Sequence, residues 1–205
     1  MKPIKVLLAF LLLLSCASVT AQDTFCLRNK IKITKGWDKA YTALQLEHWT
    51  QDCWFVRPIV GYKFTPWLKG DVAYEFRQKY SHDLKQKGLV SLTGTLRSGN
   101  ISISVRERYQ LEFTRKDGAS SFGPGKSVLR SMLTAKYSIP ESAFCPYLSA
   151  EAFTWKTWEK ARFSAGTLLR VSERSSFDVF YMYTIFASQP TASQHALGIC
   201  YYLSL

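Results

Sequence analysis

The sequence has little that would mark a helical membrane protein, a collagen-like rod or a metal-binding scaffold. No apolar run after residue 14 reaches the roughly 18 residues that indicate a membrane-spanning helix. The 11 glycines follow no three-residue period. The 3 histidines and 5 cysteines form no zinc-type spacing. We therefore expect no metal and no cofactor.

Acidic residues are also scarce, with 15 Asp and Glu against 27 Lys and Arg and a net charge of +12. These basic residues are dispersed and form no Lys/Arg run, so nucleic-acid binding is not expected. Aromatic residues are abundant, with 13 Phe, 11 Tyr and 6 Trp. That much apolar surface excludes a disordered chain.

The N-terminus has the pattern of an export signal. A basic start is followed by an apolar run over residues 6–14, about half the length of a spanning helix, and then by small residues. We predict a cleaved signal peptide at 1–21 and a single domain at 22–205. Leu-Leu-Ser precedes Cys16 and loosely resembles the motif before the lipidated cysteine of a lipoprotein. Lipoprotein processing at Cys16 is therefore an alternative to cleavage after residue 21.

After the signal, apolar and polar residues alternate with a period of two. Along residues 54–64, for example, Trp54, Val56 and Val60 share one face while Arg57 and Lys63 share the other. Similar strands are predicted at 40–49, 68–77, 85–97, 101–113, 128–137, 146–155, 161–171, 177–183 and 195–205. A weaker strand at 30–35 stands outside this set of about ten.

The strand lengths favour an all-β fold: a transmembrane antiparallel up-and-down β-barrel of about ten strands, with 8 or 12 as alternatives. Short turns at 65–67, 98–100, 139–145 and 172–176 are expected to face the periplasm, together with both termini. Longer links at 78–84, 114–127 and 184–194 are expected outside the cell.

Alternation alone does not separate a membrane barrel from a soluble one whose apolar face points inward. Aromatic residues near strand ends favour the membrane barrel; they are Trp49, Trp54, Phe64, Trp67, Phe113, Tyr137 and Trp155. Gly70, Gly94, Ala150 and Ala165 lie on the apolar face, where they would fill a core poorly. Glu107 is an exception on that face. A soluble lipocalin-like periplasmic binder remains an alternative.

Four segments resemble the exported Gram-negative proteins called domain of unknown function 2490. They are Phe-Thr-Pro-Trp-Leu-Lys at 64–69, Val-Arg-Glu-Arg-Tyr-Gln at 105–110, Pro-Tyr-Leu-Ser-Ala-Glu at 146–151 and Phe-Asp-Val-Phe-Tyr at 177–181. The resemblance spans roughly residues 30–205. It implies an outer-membrane β-barrel without an established activity. The terminal Leu205 departs from the Phe that usually ends such barrels.

In a membrane barrel the polar face lines the lumen, which would carry a surplus of positive charge. The predicted lumen charge cluster comprises Arg57, Lys69, Asp71, Glu75, Arg77, Arg106, Arg108, Glu112, Arg130, Glu151, Arg162, Arg170 and Asp178. These groups either close the lumen by ion pairing, with Glu151 and Asp178 each neutralising arginines, or attract small anions. Basic groups near strand ends would contact acidic lipid headgroups or lipopolysaccharide.

An enzyme would need a nucleophile, a base and an orienting group. His48, His82 and His195 are all predicted at the exterior rim, with His48 and His195 on strands that meet at barrel closure. Their candidate partners are Glu47, Asp52, Ser81, Asp83 and Ser193. No spacing among them matches a catalytic motif. We therefore predict no enzyme, with a rim-located hydrolase acting on lipid or peptide as the alternative.

Cysteines 26, 53, 145 and 200 would remain after cleavage, and an oxidising periplasm permits disulfides. A pair between Cys26 and Cys145 is favoured because both are predicted on the periplasmic side. The sequence thus indicates a non-enzymatic outer-membrane barrel, acting as a narrow pore or as a structural or interaction protein.

Overall fold

The computed structural model describes residues 24–50, 52–115 and 121–205. Those residues form eleven strands. The strands are β1 (Thr24–Trp37), β2 (Ala40–Trp49), β3 (Cys53–Lys63), β4 (Leu68–Lys79), β5 (Leu84–Ser98), β6 (Ile101–Arg115), β7 (Gly123–Tyr137), β8 (Phe144–Trp155), β9 (Thr157–Arg170), β10 (Ser175–Phe186) and β11 (Gln189–Ser204). The signal peptide predicted at 1–21 and its alternative at Cys16 lie outside the described residues.

The strands form one closed barrel in which β2 to β11 each pair antiparallel with the preceding strand. The predicted all-β barrel of antiparallel up-and-down strands is therefore confirmed for these ten strand pairs. Two-residue alternation explains the wall, because successive side chains point to opposite faces. In β3, Phe55, Arg57 and Ile59 are buried inside, whereas Trp54 and Val60 are exposed outside.

The predicted number of ten strands is wrong by one. The weak strand at 30–35 is part of β1, which closes the barrel by pairing parallel with β11 from Thr24↔Gln194 to Thr34↔Ser204. Parallel closure needs an odd number of strands, whereas the prediction assumed a fully antiparallel barrel. The described chain consequently starts and finishes at opposite ends of the barrel. We call them the N-terminal end, where Thr24 lies, and the C-terminal end, where Leu205 lies.

The expected difference between short and long links is also largely absent. β10 continues to Phe186 and β11 starts at Gln189, so the long link predicted at 184–194 shrinks to residues 187–188. The link predicted at 114–127 shrinks to 116–122, of which 116–120 are not described. The alternation in these polar segments is weak and predicts loops, yet the strand ladder extends into both segments.

The outer face of the wall is an apolar belt. Val60, Val72 and Val90 at mid-strand are 63%, 59% and 56% exposed, and Trp54 and Trp67 near strand ends are 48% and 54% exposed. Trp49 differs from the prediction: it is buried on the lumen face, where its Nε1 donates to Glu47 Oε1 at 2.6 Å. Among the described residues, no helix is long and apolar enough to cross a membrane.

The predicted pair between Cys26 and Cys145 is wrong. Cys26 lies near the start of β1, at the N-terminal end, whereas Cys145 lies near the start of β8, at the C-terminal end. The error follows from the missed strand, which reverses the side on which residue 26 is expected. All four described cysteines are free thiols, and Cys26, Cys53 and Cys200 are buried in one apolar cluster.

Candidate functional site in the barrel lumen

All thirteen residues of the predicted charge cluster lie on the strand faces that point into the lumen. They alternate with the exposed apolar residues of the outer face, as Asp71 and Glu75 of β4 alternate with Val72 and Phe76. Glu107 projects outward, as its position in β6 predicts, and accepts a hydrogen bond from Ser131 Oγ at 2.6 Å. The lumen face therefore carries these charged residues beside buried apolar side chains such as Phe55, Leu89 and Met182.

Four carboxylates, which we call the carboxylate girdle, organise the lumen. Glu47, Glu75, Glu112 and Glu151 have relative exposures of 3%, 1%, 6% and 6%. Carboxylates so deeply buried need several charged or hydrogen-bonding partners to offset their lost hydration. Each girdle residue has them.

Glu75 is held by three cations, one from its own strand β4 and one from each neighbouring strand. Arg57 Nε donates to Glu75 Oε2 at 3.0 Å, and Arg77 Nε donates to Glu75 Oε1 at 2.9 Å. Lys87 Nζ lies 4.0 Å from Glu75 and 3.0 Å from Glu112, so it links two girdle carboxylates. Lys85 adds a second contact to Glu112 at 2.6 Å. The pairs thus form a continuous network across β3 to β6.

Glu151 gathers three arginines on the other side of the barrel. Arg106 and Arg130 contact its Oε1 at 2.9 and 2.8 Å, and Arg162 lies 3.5 Å from its Oε2. Arg106 belongs to β6 and Glu151 to β8, so this contact crosses the intervening strand β7. The prediction that Glu151 neutralises arginines agrees with this geometry.

Aromatic rings in the lumen stack against the same guanidinium groups. Arg57 and Arg77 both lie 4.8 Å from the Phe55 ring centroid, and Arg130 lies 4.6 Å from that of Phe153. Such contacts add stabilisation of about 0.5–2 kcal/mol each. The girdle carboxylates and these two rings are thus buried together with their cations inside the barrel.

Asp178 behaves differently from the prediction, which paired it with arginines. Its Oδ2 accepts hydrogen bonds from the hydroxyls of Tyr147 at 3.2 Å and Tyr202 at 3.4 Å. Asp71 likewise accepts from Tyr41 at 3.5 Å. In the staggered register, tyrosines of nearby strands reach these two aspartates, whereas no cation of the described residues forms an ion pair with either.

The half of the lumen nearer the C-terminal end is rich in basic residues, which we call the basic tier. Within the part of the chain that the structure describes, none of its members makes an ion pair. The basic tier consists of Lys30, Lys32, Lys63, Lys69, Arg97, Lys136 and Arg170. Lys32 has Lys30, Lys69 and Arg108 among its electrostatic neighbours, so these charges converge from separate strands.

Arg108 lies at the boundary between the girdle and the basic tier. It is 8% exposed, and its Nε donates to Ser91 Oγ at 2.8 Å. Directly opposite it in the β6–β7 ladder stands Arg130. Its charged neighbours are chiefly Arg106, Arg130 and Arg57, with Asp71 as an acidic neighbour. Arg108 is thus a buried guanidinium that forms no ion pair within the described residues.

Sequence reasoning missed two members of this network. Arg28, on β1, pairs with Glu47 on β2 and lies 4.9 Å from the Trp49 ring centroid. Both were overlooked as lumen charges, since residues before 30 were not assigned to a strand and Glu47 was considered only as a partner for a catalytic histidine. The alternation of Arg28, Lys30 and Lys32 with Leu27, Asn29 and Ile31 is the signal that could have found them.

The three histidines lie toward the N-terminal end but do not converge. His48 Nε2 is hydrogen-bonded to the hydroxyl of Tyr80, and His82 lies in the 80–83 link with a φ of 62°. The prediction that the strands of His48 and His195 meet at closure is wrong, because β1 separates β2 from β11.

Of the candidate partners of the histidines, Ser193 contacts a histidine, whereas Asp52 pairs with cations. Asp52 lies 3.9 Å from Arg77 and 3.7 Å from Lys79. Ser193 is hydrogen-bonded to His195. No group of three or more potential metal ligands occurs among the described residues.

The fold has a relative among solved structures. The NanC porin, in a structure of its rhombohedral crystal form, is similar to 85% of this chain over 91% of its own, with a TM-score of 0.59 and 14% identity. At that identity the likeness concerns the fold. No curated protein matches the sequence. A family model described as protein of unknown function (DUF2490) matches residues 27–195, which is most of the chain, and the protein therefore belongs to that family.

Proposed function

We propose that the chain is an outer-membrane barrel whose lumen serves as a narrow, non-enzymatic passage that prefers small anions. The apolar outer belt supports a membrane location, since a soluble barrel would expose its polar face. The porin-like fold supports it as well. In this setting the belt contacts lipid, and basic residues near the strand ends contact acidic headgroups or lipopolysaccharide.

Arg108 is the observation that carries the anion preference. A buried guanidinium without a carboxylate partner is costly unless an anion or water compensates it. The buried Nε atoms of Arg106 and Arg162 also have no hydrogen-bond partner among the described residues. With the basic tier on one side and the girdle on the other, an anion entering from the C-terminal end meets positive charge as far as Arg108.

The girdle sets the width of the passage. Its four carboxylates and their cations project from opposite sides of the wall, so any open path between them is narrow. This constriction supports a small conductance rather than that of a wide general porin. A barrel with a fully closed girdle would instead be a structural or interaction protein, which is the second function that the geometry supports.

Planar bilayer recording tests the proposal. The refolded barrel should give small, discrete conductance steps, and a KCl gradient should give a reversal potential of the sign expected for chloride preference. Arg108→Gln combined with Lys32→Gln and Lys69→Gln should move that potential toward zero. Lys156→Gln, in a link at the N-terminal end, is the control and should leave it unchanged.

The same recording separates the two functions. A barrel that migrates faster unboiled than boiled on a gel, yet shows no conductance at any voltage, would favour the structural role. Cation preference in the native protein would contradict the role assigned to Arg108.

A further inference from the structure

The outer face of the barrel carries a groove that the lumen does not use. Its volume is about 400 Å³, within the range of about 300–1,000 Å³ that is typical of sites for small ligands. Its walls are outward-facing residues of β1, β2, β3 and β11. Lys30 and Glu47 also border it, and because their side chains point into the lumen, their backbone forms part of its floor. The groove therefore opens on the apolar belt.

A polar row forms the edge of the groove that is nearer the N-terminal end. Asn29 on β1 pairs with His48 on β2, and His48 pairs with Trp54 on β3, so three outward side chains lie side by side. His48 and Trp54 are each one residue from the end of their strand. The hydroxyl of Tyr80 is hydrogen-bonded to His48. Polar groups and amphipathic aromatic rings of this kind are typical of the membrane–water interface.

The opposite part of the groove is apolar. Two positions further toward the C-terminal end, Ile31 pairs with Leu46, and Leu46 pairs with Val56. Ile31 and Leu46 are 46% and 42% exposed, and Ile199 on β11 adds an apolar side wall that is 49% exposed. Two residues of a strand span about 7 Å. Over that short distance the groove changes from hydrogen-bonding groups to hydrocarbon.

Asn29 differs from other polar residues of the outer face in its lack of a partner. Gln86 and Glu107 also project outward, and they accept hydrogen bonds from Tyr74 and Ser131 at 2.6 Å each. Asn29 is exposed, and its side-chain amide forms no hydrogen bond within the residues that the structure describes. An unsatisfied amide is costly against lipid, because hydrocarbon offers it no partner. An acceptor from outside the chain would remove that cost.

We propose that the groove binds one acyl chain of a membrane phospholipid, whose ester carbonyl accepts a hydrogen bond from the side-chain amide of Asn29. The headgroup then lies toward the N-terminal end beside His48, and the chain runs over Ile31 and Leu46. In a phospholipid the ester groups lie at the interface and the hydrocarbon directly below them, which is the order of the two rows. The inference rests on the proposed membrane location but not on the proposed passage.

Other occupants match the groove less well. The phosphates of lipopolysaccharide are held by surplus basic groups, yet the charged side chains Asp52 and Lys79, at the same end of β3 and β4, pair with each other at 3.7 Å. A second copy of the chain would have to bring an acceptor to Asn29 at the depth of the groove. An ester carbonyl is an acceptor that every diacyl phospholipid carries at the interface.

Native mass spectrometry of the refolded barrel in a short-chain detergent, titrated with dipalmitoyl phosphatidylethanolamine, tests the site. We expect one lipid per barrel to remain bound after loosely attached lipid is removed by collisional activation. Asn29→Leu should weaken this adduct about 3–10-fold, as the loss of one hydrogen bond predicts. Gln86→Leu, which removes an amide elsewhere on the outer face, is the matched control and should leave the affinity for the lipid unchanged.

A dialkyl ether analogue of the same lipid isolates the carbonyl group. It keeps the chains and the headgroup but has no ester carbonyl to accept from Asn29. The native barrel should therefore bind it about as weakly as Asn29→Leu binds the ester lipid, and Asn29→Leu should bind both lipids equally. Equal binding of the two lipids by the native barrel would overturn the role assigned to Asn29.

Leu46→Trp tests the apolar part, because the larger ring should fill the groove and remove the adduct. Leu133→Trp, on the outer face of β7, is the control and should retain it. An adduct of Leu46→Trp as stable as the native one, displacement of the lipid by an equal concentration of lipopolysaccharide, or a dimer in place of the adduct would overturn the proposal. Unchanged unboiled gel mobility and conductance in these variants would show that such a failure concerns the groove and neither the membrane location nor the passage.

Discussion

Two girdle residues, Glu75 and Glu151, differ from the other acidic residues that the structure describes in that three cations lie within 4.0 Å of each. Glu151 contacts Arg106, Arg130 and Arg162, which all have side-chain exposures of 21% or less. Removing one carboxylate charge therefore leaves several buried cations without compensation. The resulting loss of folding stability is larger than that caused by removing a surface ion pair, which contributes about 0–1 kcal/mol.

We expect Glu151→Gln to lower the free energy of unfolding by roughly 3 kcal/mol. The measurement is urea unfolding in lipid vesicles, followed by tryptophan fluorescence. Glu173→Gln, in the exposed 171–174 link, is the control and should change the free energy by about 0.5 kcal/mol or less. Equal losses in the two variants would contradict the role of the girdle.

Glycine is required at a position where an aromatic ring crosses the backbone. A Cβ at Gly198 on β11 would lie 2.0 Å from Cζ of Phe180, whereas one at Gly94 would meet nothing within 4 Å. Gly198→Ala should therefore cost about 1–3 kcal/mol through overpacking, and Gly94→Ala should be close to neutral. Adding Phe180→Leu should recover much of the stability that Gly198→Ala loses. The midpoint of urea unfolding measures this recovery. If the two alanine variants had the same midpoint, the close approach would be refuted.

At the scale of the element, β1 is the strand that the sequence predicts least well. Its outer face mixes Leu27 and Ile31 with Asn29, and its inner face carries Lys30 and Lys32. Most of β1 lies before the region of the sequence in which alternation is clear. Its pairing with β11 is also invisible to local patterns, since the partners are far apart in the chain.

A cysteine cross-link tests the parallel pairing of β1 with β11, which we call the parallel seam. In a chain whose own cysteines are replaced by serine, Asn29→Cys and Ile199→Cys should form a disulfide on mild oxidation, because they are partners in the β1–β11 ladder and both face outward. The pair Asn29→Cys and Leu203→Cys, offset by four residues, should not. No cross-link in a folded barrel would indicate a ten-stranded barrel with β2 beside β11, and a cross-link of the offset pair alone would indicate a different β1–β11 register. Gel mobility without reductant provides the measurement.

The sequence predicts the faces of the strands well and the contacts between side chains poorly. Alternation alone assigns Arg106 and Glu151 to the same interior. Their contact across two strand positions depends on the stagger between β6 and β8, which has no local signal. The same stagger brings Tyr147 to Asp178, where an arginine was expected. Asn29 and His48 are far apart in sequence and become neighbours only through the β1–β2 register.

At the scale of the whole molecule, an odd number of strands places the two ends of the barrel on opposite sides of the membrane in the proposed outer-membrane location. A short epitope inserted after residue 23 should therefore be accessible to protease from the same side as one inserted in the 187–188 link. An epitope in the 99–100 link should be accessible only from the other side. Protease treatment of intact cells, followed by immunoblotting, makes the comparison. Access to the 23 and 99–100 epitopes from one side would require an even-stranded barrel.

The parallel seam also determines the order in which the barrel can assemble. Ten of the eleven strand pairs join neighbours in the chain and can form as successive hairpins, whereas the seam joins residues 24–34 to 194–204. Its formation costs the closure entropy of nearly the whole chain, and contacts of such long range form slowly. Until then the folding intermediate is an open, curved sheet with two unsatisfied edges, at β1 and β11. Those edges are sites where strands of other chains can add, so the slowest step of folding coincides with the period of greatest exposure to aggregation.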